Sequence, residues 1–338
     1  MTVRVGFLGA GLIATYHSKS LRASRADASW AGVYDPDPTR AAAFAAASGA
    51  TACSDEDEVL DGCDAVYVCT WTAEHPRLVA AAADRGLAVF CEKPLAIDLA
   101  TVETMVETVE RAGVVNQVGL VLRHSPAFGL LKALAADPAS GRPMNIVFRD
   151  DQYLPVQGMY GSTWRGDVAK AGGGTLLEHS IHDLDLLEWL LGPITSVAAR
   201  SASFHEIAGI EDSVTVLLTF ASGAVGSLTS VWHDVLERPS LRRVELLSER
   251  AHVTVDGDWW GPVEWQALGH ELVRLDGDDL QAEAARRGAA LGNPDGLFVA
   301  AVAAGKPAWP SFAAALRAHV LADAVYRSAA AGGVPVDC

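Results

Sequence analysis

Short apolar runs alternate with runs of helical spacing through the first 122 residues of the chain. Apolar runs of roughly four to eight residues, bounded by Gly, Pro, Asp or Ser, are typical of buried parallel strands. The alternation predicts a series of βαβ units. The predicted strands are 3–10, 29–35, 65–70, 87–94 and 115–122, and the predicted helices are 12–24, 38–48, 75–85 and 98–112.

The pattern changes after residue 122. A helix is predicted near 126–136, and apolar and polar positions then alternate over 213–233 and 242–256, which predicts antiparallel strands joined by turns such as "ASG". An Ala-rich helix is predicted at about 311–330. The fold class is therefore an α/β domain over 1–122 followed by an α+β domain over 123–338.

Length and charge narrow the class of protein. The 338 residues are long for one hydrophobic core, and the formal net charge is −16. Because no Lys/Arg cluster is present, neither nucleic acid nor an anionic membrane is an expected partner. No apolar run reaches transmembrane length, and the N-terminus lacks signal-peptide features. The five cysteines have no metal spacing and are typical of reduced thiols. We therefore expect a cytoplasmic protein.

The stretch "GFLGAGLIA" has a G-x-G-x-x-G/A pattern between a predicted strand and a predicted helix. Gly9 would permit the tight turn, Gly11 would let the backbone approach a pyrophosphate, and Ala14 would let helix and strand pack closely. The helix start at Leu12 and Ile13 would present its positive end to the phosphates. The pattern predicts a dinucleotide-binding Rossmann domain.

Asp35 ends the next predicted strand, about 20 residues further on, where an acidic residue binds the adenosine ribose hydroxyls. A carboxylate there repels a 2′-phosphate, so NAD is expected rather than NADP. Arg40 could weaken that preference, although a charge on the helix surface is the simpler interpretation.

The stretch "FCEKPLA" follows another predicted strand and contains Glu92 and Lys93. In doubly wound sheets, ligands bind outside the carboxyl ends of the strands. A residue before proline has a restricted backbone, which could hold the Lys93 ammonium over a ligand. A surface lysine in a strand–helix loop is the alternative.

The stretch "LLEHSIHDLDLLEWL" (176–190) has the apolar spacing of a buried helix but carries many titratable groups. Glu178, His182 and Asp185 would share one helix face. An imidazole between carboxylates is a candidate general base, because the carboxylates would fix its tautomer and raise its pKa.

Two other interpretations of this helix stay open. His179 with Asp183, or Glu178 with His182, could bind a metal ion, but the order is not H-E-x-x-H and the spacing offers no third ligand. We therefore predict no metal site. The helix could also carry only buried ion pairs.

These motifs together resemble the Gfo/Idh/MocA oxidoreductases, which include glucose–fructose oxidoreductase and inositol dehydrogenase. The resemblance covers essentially the whole chain. It implies a Rossmann domain followed by a domain with an open, mostly antiparallel sheet, whose exposed face often forms the interface of a homodimer or homotetramer. It rests on "GFLGAGLIA", "CTWTAEH" (69–75), "CEKPLA" (91–96), "STWRGD" (162–167) and "GGGTLLEHSIHDLDLLEWLLG" (172–192).

The resemblance also implies roles for residues. Lys93 would contact the nicotinamide region and the substrate hydroxyl, and His182 would accept the proton of that hydroxyl. Either Glu178 or Asp185 would hold the His182 imidazole in place. The further cofactor contacts would be Thr70, Trp71, His75, Glu92, Trp164 and Arg165. Substrate contacts besides Lys93 and His182 would include Arg123, Tyr153, His179 and Asp185. The sequence itself offers further pocket candidates, each of which could equally be a packing or surface residue. They are Tyr153, Tyr160, Trp164, His179 and His233.

Three positions depart from the family pattern. Glu178 stands where the family usually has Asp, Ser180 where it usually has Gly, and Trp71 where a small residue or Pro is expected. Both proposed catalytic residues remain, so activity is expected, but the substrates of known members do not carry over.

The resulting hypothesis is an NAD-dependent dehydrogenase that oxidises a secondary hydroxyl of a sugar, cyclitol or related polyol, or reduces the corresponding ketone. Three alternatives remain open. They are a redox-neutral glycosidase or eliminase that keeps NAD bound, a non-catalytic NAD-binding regulatory protein, and a metal-dependent hydrolase centred on "EHSIHD".

Overall fold

The computed structural model describes residues 2–338. The strands are β1 (Val3–Leu8), β2 (Ala28–Tyr34), β3 (Thr51–Ala52), β4 (Ala65–Val68), β5 (Ala88–Cys91), β6 (Asn116–Val118), β7 (Pro143–Tyr153), β8 (Ile194–Ala202), β9 (Ser213–Phe220), β10 (Val225–His233), β11 (Leu241–Ser248), β12 (Ala251–Asp256), β13 (Val263–Ala267), β14 (Val273–Leu275) and β15 (Val336–Asp337). The α-helices are α1 (Leu12–Ser24), α2 (Pro38–Ser48), α3 (Glu56–Gly62), α4 (His75–Asp84), α5 (Leu99–Ala112), α6 (Pro126–Ala135), α7 (Val168–Ala171), α8 (Ile181–Leu191), α9 (Gly277–Arg286), α10 (Pro294–Ala304) and α11 (Phe312–Ala330).

The chain forms two compact units. The first runs through Leu120 and also includes Ala169–Ala171 and Gly292–Arg317, and the second contains the remaining segments from Val121 onward. The predicted division at residue 122 lies close to the first boundary. It differs from the structure in placing all of 123–338 in one domain, because α10 and the start of α11 belong to the first unit.

The sheet of the first unit has the strand order β3-β2-β1-β4-β5-β6. Every neighbouring pair is parallel, as the alternation of strands and helices predicts. Because parallel strands end at the same edge, the turns after β1, β4 and β5 lie side by side. This edge carries the glycine turn, the 70–75 loop and the Glu92–Lys93 segment. The Rossmann prediction is confirmed.

Helix α10 completes the core of the first unit. Phe298 and Val299 on this helix are fully buried in a cluster with Phe7, Tyr67 and Phe90. The edge-to-face contacts of Phe298 with Tyr67 and Phe90 have ring centroids 5.6 Å apart. This burial explains why a segment late in the sequence belongs to the first unit.

The second unit contains a sheet in the order β14-β13-β12-β11-β7-β10-β9-β8-β15. Its neighbours pair antiparallel apart from β7 and β10, which are parallel over Asn145–Tyr153. Strand β9 alternates buried and exposed positions, so one sheet face forms the core. Residues of α6, α8 and α11 belong to that core. The predicted, mostly antiparallel sheet is confirmed.

Candidate active site

The glycine turn of the first unit has the geometry that its motif predicts. Gly9 has φ +92°, and a Cβ there would lie 2.6 Å from the Cys69 carbonyl oxygen, so both the conformation and the space require glycine. In the described part of the chain, no heavy atom lies within 4 Å of a Cβ built at Gly11. Gly11 is the N-cap residue of α1, and no side chain among the described residues caps that helix start. Ala14 is fully buried, whereas Leu12 and Ile13 are exposed.

Asp35 is tied to this turn by both of its carboxylate oxygens. Its Oδ2 accepts a hydrogen bond from the Ala10 backbone N–H (2.9 Å), and its Oδ1 accepts one from the Asp37 N–H (2.9 Å). The Arg40 guanidinium, interpreted above as a helix-surface charge, forms an ion pair with Asp35 (3.4 Å) and with Asp37 (3.2 Å). Asp35 therefore shapes the glycine turn in addition to carrying a negative charge beside it.

The loop after β4 is braced by His75, whose side chain is almost fully buried. Its Nδ1 lies 2.9 Å from the Pro94 carbonyl oxygen, and its Nε2 lies 3.2 Å from the Thr70 carbonyl oxygen. The imidazole thus connects the ends of two neighbouring strands. The Trp71 ring lies nearby with the Lys170 Nζ 5.5 Å from its centroid.

The segment after β5 contains two charged residues, Glu92 in the interior and Lys93 nearer the surface. Glu92 is buried, and its Oε1 lies 2.8 Å from His17 Nε2 on α1. Lys93 is partly exposed and precedes Pro94 through a cis peptide bond. The burial of Glu92 against His17 is not apparent from the sequence, where Glu92 is predicted to contact the cofactor.

The second unit holds the helix of the "EHSIHD" motif, and its start differs from a continuous α-helix. Thr175–His179 form a π-helical turn, and α8 begins only at Ile181. A Cβ at Gly174 would lie 1.8 Å from the Glu211 carbonyl oxygen, so this close approach requires glycine. The carboxylate of Glu211 accepts hydrogen bonds from the Gly174 and Leu176 N–H groups at 2.8 and 2.9 Å.

Each carboxylate of the predicted helix stripe has an arginine partner. Glu178 is buried and accepts a hydrogen bond from Arg165 Nε at 3.0 Å. The Arg165 guanidinium also lies over the Trp164 ring, 4.5 Å from its centroid. Asp185 accepts hydrogen bonds from Arg123 Nε (2.7 Å) and Nη2 (2.5 Å). Burial raises the pKa of Asp185, and Arg123 opposes that shift.

His182 occupies the first turn of α8 and is partly exposed, between the positions of Glu178 and Asp185 in sequence. The candidate base therefore lies in a segment whose buried carboxylates are paired with arginines. An ion pair with arginine favours the ionised form of a buried carboxylate. A carboxylate that orients an imidazole base has to be ionised in order to accept the imidazole N–H.

A second buried network surrounds Arg242 of β11. Its guanidinium donates to Asp183 Oδ1 (2.6 Å) and Asp258 Oδ2 (2.8 Å) and lies 3.0 Å from Asp150 Oδ2. His179 Nε2 lies 2.8 Å from the same Asp150 oxygen. Burial raises the pKa of Asp150, and it raises the pKa of Asp183 to about 7. The sequence motifs predict neither Asp150 nor Arg242, because the relation of these residues to His179 depends on strand register.

Ser180 has a structural explanation for its departure from the family pattern. Its hydroxyl is fully buried and lies 2.6 Å from Ser230 Oγ and 3.3 Å from Asp150 Oδ2. The Thr175 hydroxyl lies 2.7 Å from the same Ser230 oxygen. A hydroxyl network therefore fills the space that glycine would leave.

Two of the aromatic candidates pack against each other. The Tyr153 and Tyr160 ring centroids are 5.2 Å apart, and the Tyr153 hydroxyl accepts a hydrogen bond from the Met159 N–H at 3.2 Å. His233 lies 3.4 Å from Asp151, which is also paired with Arg238. These residues hold the loop after β7, which carries Trp164 and Arg165.

A metal site and a membrane-spanning helix would each place their own requirements on the described residues. Among residues 2–338, no group of three or more His, Cys, Asp or Glu side chains is arranged to hold a metal ion. None of the described helices is long and apolar enough to cross a membrane.

Two family models match this chain. One, described as an oxidoreductase family with an NAD-binding Rossmann fold, matches residues 3–120. The other, described as a GFO/IDH/MocA C-terminal domain, matches residues 128–254. Among individual proteins, the inositol 2-dehydrogenase of Rhizobium meliloti (strain 1021) is 31% identical over 339 residues, which cover 98% of each chain. The scyllo-inositol 2-dehydrogenase (NAD(+)) of Bacillus subtilis (strain 168) is 34% identical over 247 residues, covering 69% of this chain and 70% of the relative.

Solved structures share the fold over the full length. GenD2 from gentamicin A biosynthesis, in complex with NAD, has 26% sequence identity and a TM-score of 0.82, covering 99% of this chain and 96% of its own. A levoglucosan dehydrogenase in complex with NADH has 22% identity and a TM-score of 0.86, covering 100% and 99%.

Proposed function

The chain belongs to the GFO/IDH/MocA family of oxidoreductases, and from this premise we propose that it is an NAD-dependent dehydrogenase of a polyol. The reaction is the oxidation of a secondary hydroxyl of a sugar, a cyclitol or a related polyol, or the reverse reduction. The observation that carries the proposal is that Lys93 and His182 are both retained in a chain that aligns with an inositol dehydrogenase over 98% of its length.

The glycine turn fits an NAD pyrophosphate. Gly11 leaves its surroundings open to a ligand, and the uncapped start of α1 offers N–H groups to phosphate oxygens. Asp35 would bind the ribose hydroxyls and repel a 2′-phosphate, so NAD is favoured over NADP. When bound, NAD supplies the acceptor for a hydride. Thr70 and Trp71, together with Lys93, Trp164 and Arg165, are the further proposed contacts.

His182 is the proposed base that accepts the proton of the reacting hydroxyl. Lys93 stabilises the negative charge that develops on that oxygen, as a fixed ammonium does in a site shielded from water. Glu178 precedes His182 by four positions and is the proposed positioning residue for the imidazole, with its own charge balanced by Arg165. Arg123 engages both oxygens of Asp185, which favours Glu178 over Asp185 for that role.

The substrate is proposed to be a cyclitol in the first instance. The support is that relatives covering most of the chain are named inositol dehydrogenases. Arg123, Tyr153, His179 and Asp185 remain the proposed substrate contacts. The ion pairs of Arg123 with Asp185 and of His179 with Asp150 indicate that Arg123, His179 and Asp185 would act as fixed hydrogen-bonding groups.

The deciding experiment is the absorbance of NADH during incubation of the purified protein with NAD⁺ and a panel of inositols, sugars and sugar acids. We expect NADH to accumulate with one class of polyol. Turnover of a sugar without any net NADH would contradict the dehydrogenase and establish a redox-neutral enzyme. Protein that binds NAD but converts none of the panel, tested in both directions, would contradict the proposed substrate class.

The exposed face of the second unit's sheet is the proposed interface of a homodimer or homotetramer. Apolar side chains such as Met144, Val147 and Leu217 are exposed, and Val147 helps to line a groove of about 450 Å³ with Arg149 and Glu245. Light scattering of the wild type and of Val147→Glu would test this, with dissociation of the variant as the expected result. The five free cysteines favour a reducing compartment, so the cytoplasm is the proposed location.

A further inference from the structure

A histidine outside the proposed reaction lies between two buried carboxylates in the first unit. His17 on α1 has Nε2 2.8 Å from Glu92 Oε1 and Nδ1 2.7 Å from Asp295 Oδ1. His17 is 1% exposed, Asp295 is 0% exposed and Glu92 is 7% exposed. The three residues come from α1, the end of β5 and the first turn of α10.

The charges of this cluster follow from the pairing of one imidazole with two carboxylates. An ionised carboxylate only accepts hydrogen bonds, so between two ionised carboxylates an imidazole carries a hydrogen on both nitrogens. Burial alone would lower the pKa of His17, but Asp295 and Glu92 outweigh it and raise the pKa to about 10. His17 in turn lowers the pKa of Glu92 against the effect of its burial. Two negative charges and one positive charge leave a net negative charge enclosed in the unit.

The cluster is coupled to Lys93 through Glu92, because the charge of Lys93 favours the ionised form of that carboxylate. Glu92 is the preceding residue, and its backbone N–H donates to the Val68 carbonyl oxygen at 3.0 Å, within the sheet edge. Gly119 makes room for the carboxylate, since a Cβ there would lie 2.2 Å from Glu92 Oε1. The Glu92 carboxylate is thus held between His17 and Gly119. Because the charge of Lys93 favours the ionised form of Glu92, that carboxylate in turn favours the ammonium form of Lys93.

We propose that His17 and Asp295 are positioning residues for Lys93, and that with Glu92 they form an enclosed, net negative cluster that stabilises the ammonium form of Lys93. The inference rests on the proposed function where it assigns Lys93 to catalysis. The imidazolium is what allows two carboxylates to be buried together, because without it one of them would take up a proton.

The titration of Lys93 can be measured without substrate or NAD. Reductive ¹³C-methylation keeps the charge of each lysine, and NMR then follows its titration. The spectrum is simple to assign with Lys93→Arg, since the chain has few lysines. They are Lys19, Lys93, Lys132, Lys170 and Lys306.

Three variants change the cluster's charge in different ways. Glu92→Gln and Asp295→Asn each remove a negative charge with little change of shape, so the Lys93 midpoint should fall by roughly one pH unit. His17→Gln removes the positive charge, so the midpoint should not fall. Glu107→Gln removes an exposed carboxylate of the same unit and should leave it unchanged.

An electrostatic role and a purely structural role of the cluster predict different Lys93 midpoints in these variants. An unchanged midpoint in Glu92→Gln and Asp295→Asn would overturn the proposal, and so would the same fall in all three cluster variants, which would indicate loosened packing alone. Because Asp295 is fully buried, melting temperatures identify a variant that fails to fold, and Glu92→Gln then carries the test. Wild-type protein that forms no NADH from any polyol would refute the proposed function without affecting this result.

The charge of His17 is open to a second direct measurement. In ¹⁵N-histidine spectra, the resonance absent from His17→Gln should retain the pattern of a doubly protonated ring up to about pH 9, since the pKa is raised to about 10. A neutral ring at pH 7 would contradict the cluster's assigned charges.

Discussion

Arg123 binds Asp185 through two parallel contacts, with Nε and Nη2 at 2.7 and 2.5 Å from the two carboxylate oxygens. The Asp185 side chain is 2% exposed and that of Arg123 is 10% exposed. Such a two-point pair combines charge with directional hydrogen bonding, and it compensates a carboxylate that burial would otherwise make costly. Part of the charge in the 176–190 stretch, which includes Asp185, therefore stabilises the fold.

Arg123→Ala should be strongly destabilising, because it leaves the Asp185 carboxylate buried without its cation. We expect a loss of about 3–5 kcal/mol in the free energy of unfolding, measured by urea denaturation. Arg142→Ala breaks an exposed ion pair with Glu249 in the same unit and should have a far smaller effect. The double variant Arg123→Met/Asp185→Leu should recover much of the loss. Equal stability of Arg123→Ala and the wild type would show that the pair is not structural.

His182→Ala should reduce kcat by about 10²–10⁴, the usual contribution of a positioned general base. Lys93→Ala should reduce it by about 10²–10³, as loss of one electrostatic stabiliser does. Both variants should bind NAD within about tenfold of the wild type in a fluorescence titration, a difference under ~1.4 kcal/mol. The exposed His270→Ala and Lys19→Ala serve as controls. Full turnover in either test variant would remove that residue from the mechanism.

Asp35→Ser should shift cofactor preference toward NADP. The substitution removes the negative charge that repels a 2′-phosphate, and it releases Arg40 from its ion pair with Asp35. The ratio of kcat/KM for NADP to that for NAD should rise by about tenfold or more, comparable to gaining one charge-assisted hydrogen bond. Adding Arg40→Ala should reverse most of the gain. A ratio that stays constant would indicate that Asp35 acts only on the glycine turn, through the Ala10 N–H.

Asp183 should make stability depend on pH. A free aspartate titrates near pH 4, whereas burial raises the pKa of Asp183 to about 7 in the folded protein. Between these values the folded state holds more protons than the unfolded state, so the free energy of unfolding falls as pH rises. Asp183→Asn cannot titrate and lacks this dependence. The wild type should therefore lose stability relative to this variant between about pH 4 and pH 7, and not above.

Urea denaturation at several pH values measures this difference, with the exposed Asp279→Asn as the control. A gap between wild type and Asp183→Asn that stays constant across the window would contradict the raised pKa.

Features that depend on residues close together in the sequence are predictable from it. The strand, glycine turn and helix around Gly9 and Gly11 follow from local pattern, and so does the alternation that predicts β9 and β10. Helix α10 was not predicted, although Asn293 caps it, Pro294 begins it and Gly305 ends it in the left-handed region. Those three signals are of the usual kind for a helix and would have identified it.

The partners of the charged residues could not be predicted in the same way. His17 and Asp295 are 278 positions apart, and Arg242 meets Asp183 from a strand 59 positions away. Such pairs depend on how whole helices and strands pack, and the periodicity of the sequence does not reveal that packing. The π-helical turn at Thr175–His179 likewise depends on Glu211, which lies 37 positions after Gly174.

The return of Gly292–Arg317 to the first unit affects the order in which the protein can fold during synthesis. When a ribosome has released only the first 120 residues, Phe7, Tyr67 and Phe90 lack Phe298, and His17 lacks Asp295. The nascent chain must then carry an exposed aromatic surface until nearly the whole sequence has emerged. Fragments ending near residue 120 should therefore need a chaperone to stay soluble, and co-expression of the 292–317 segment should relieve that need.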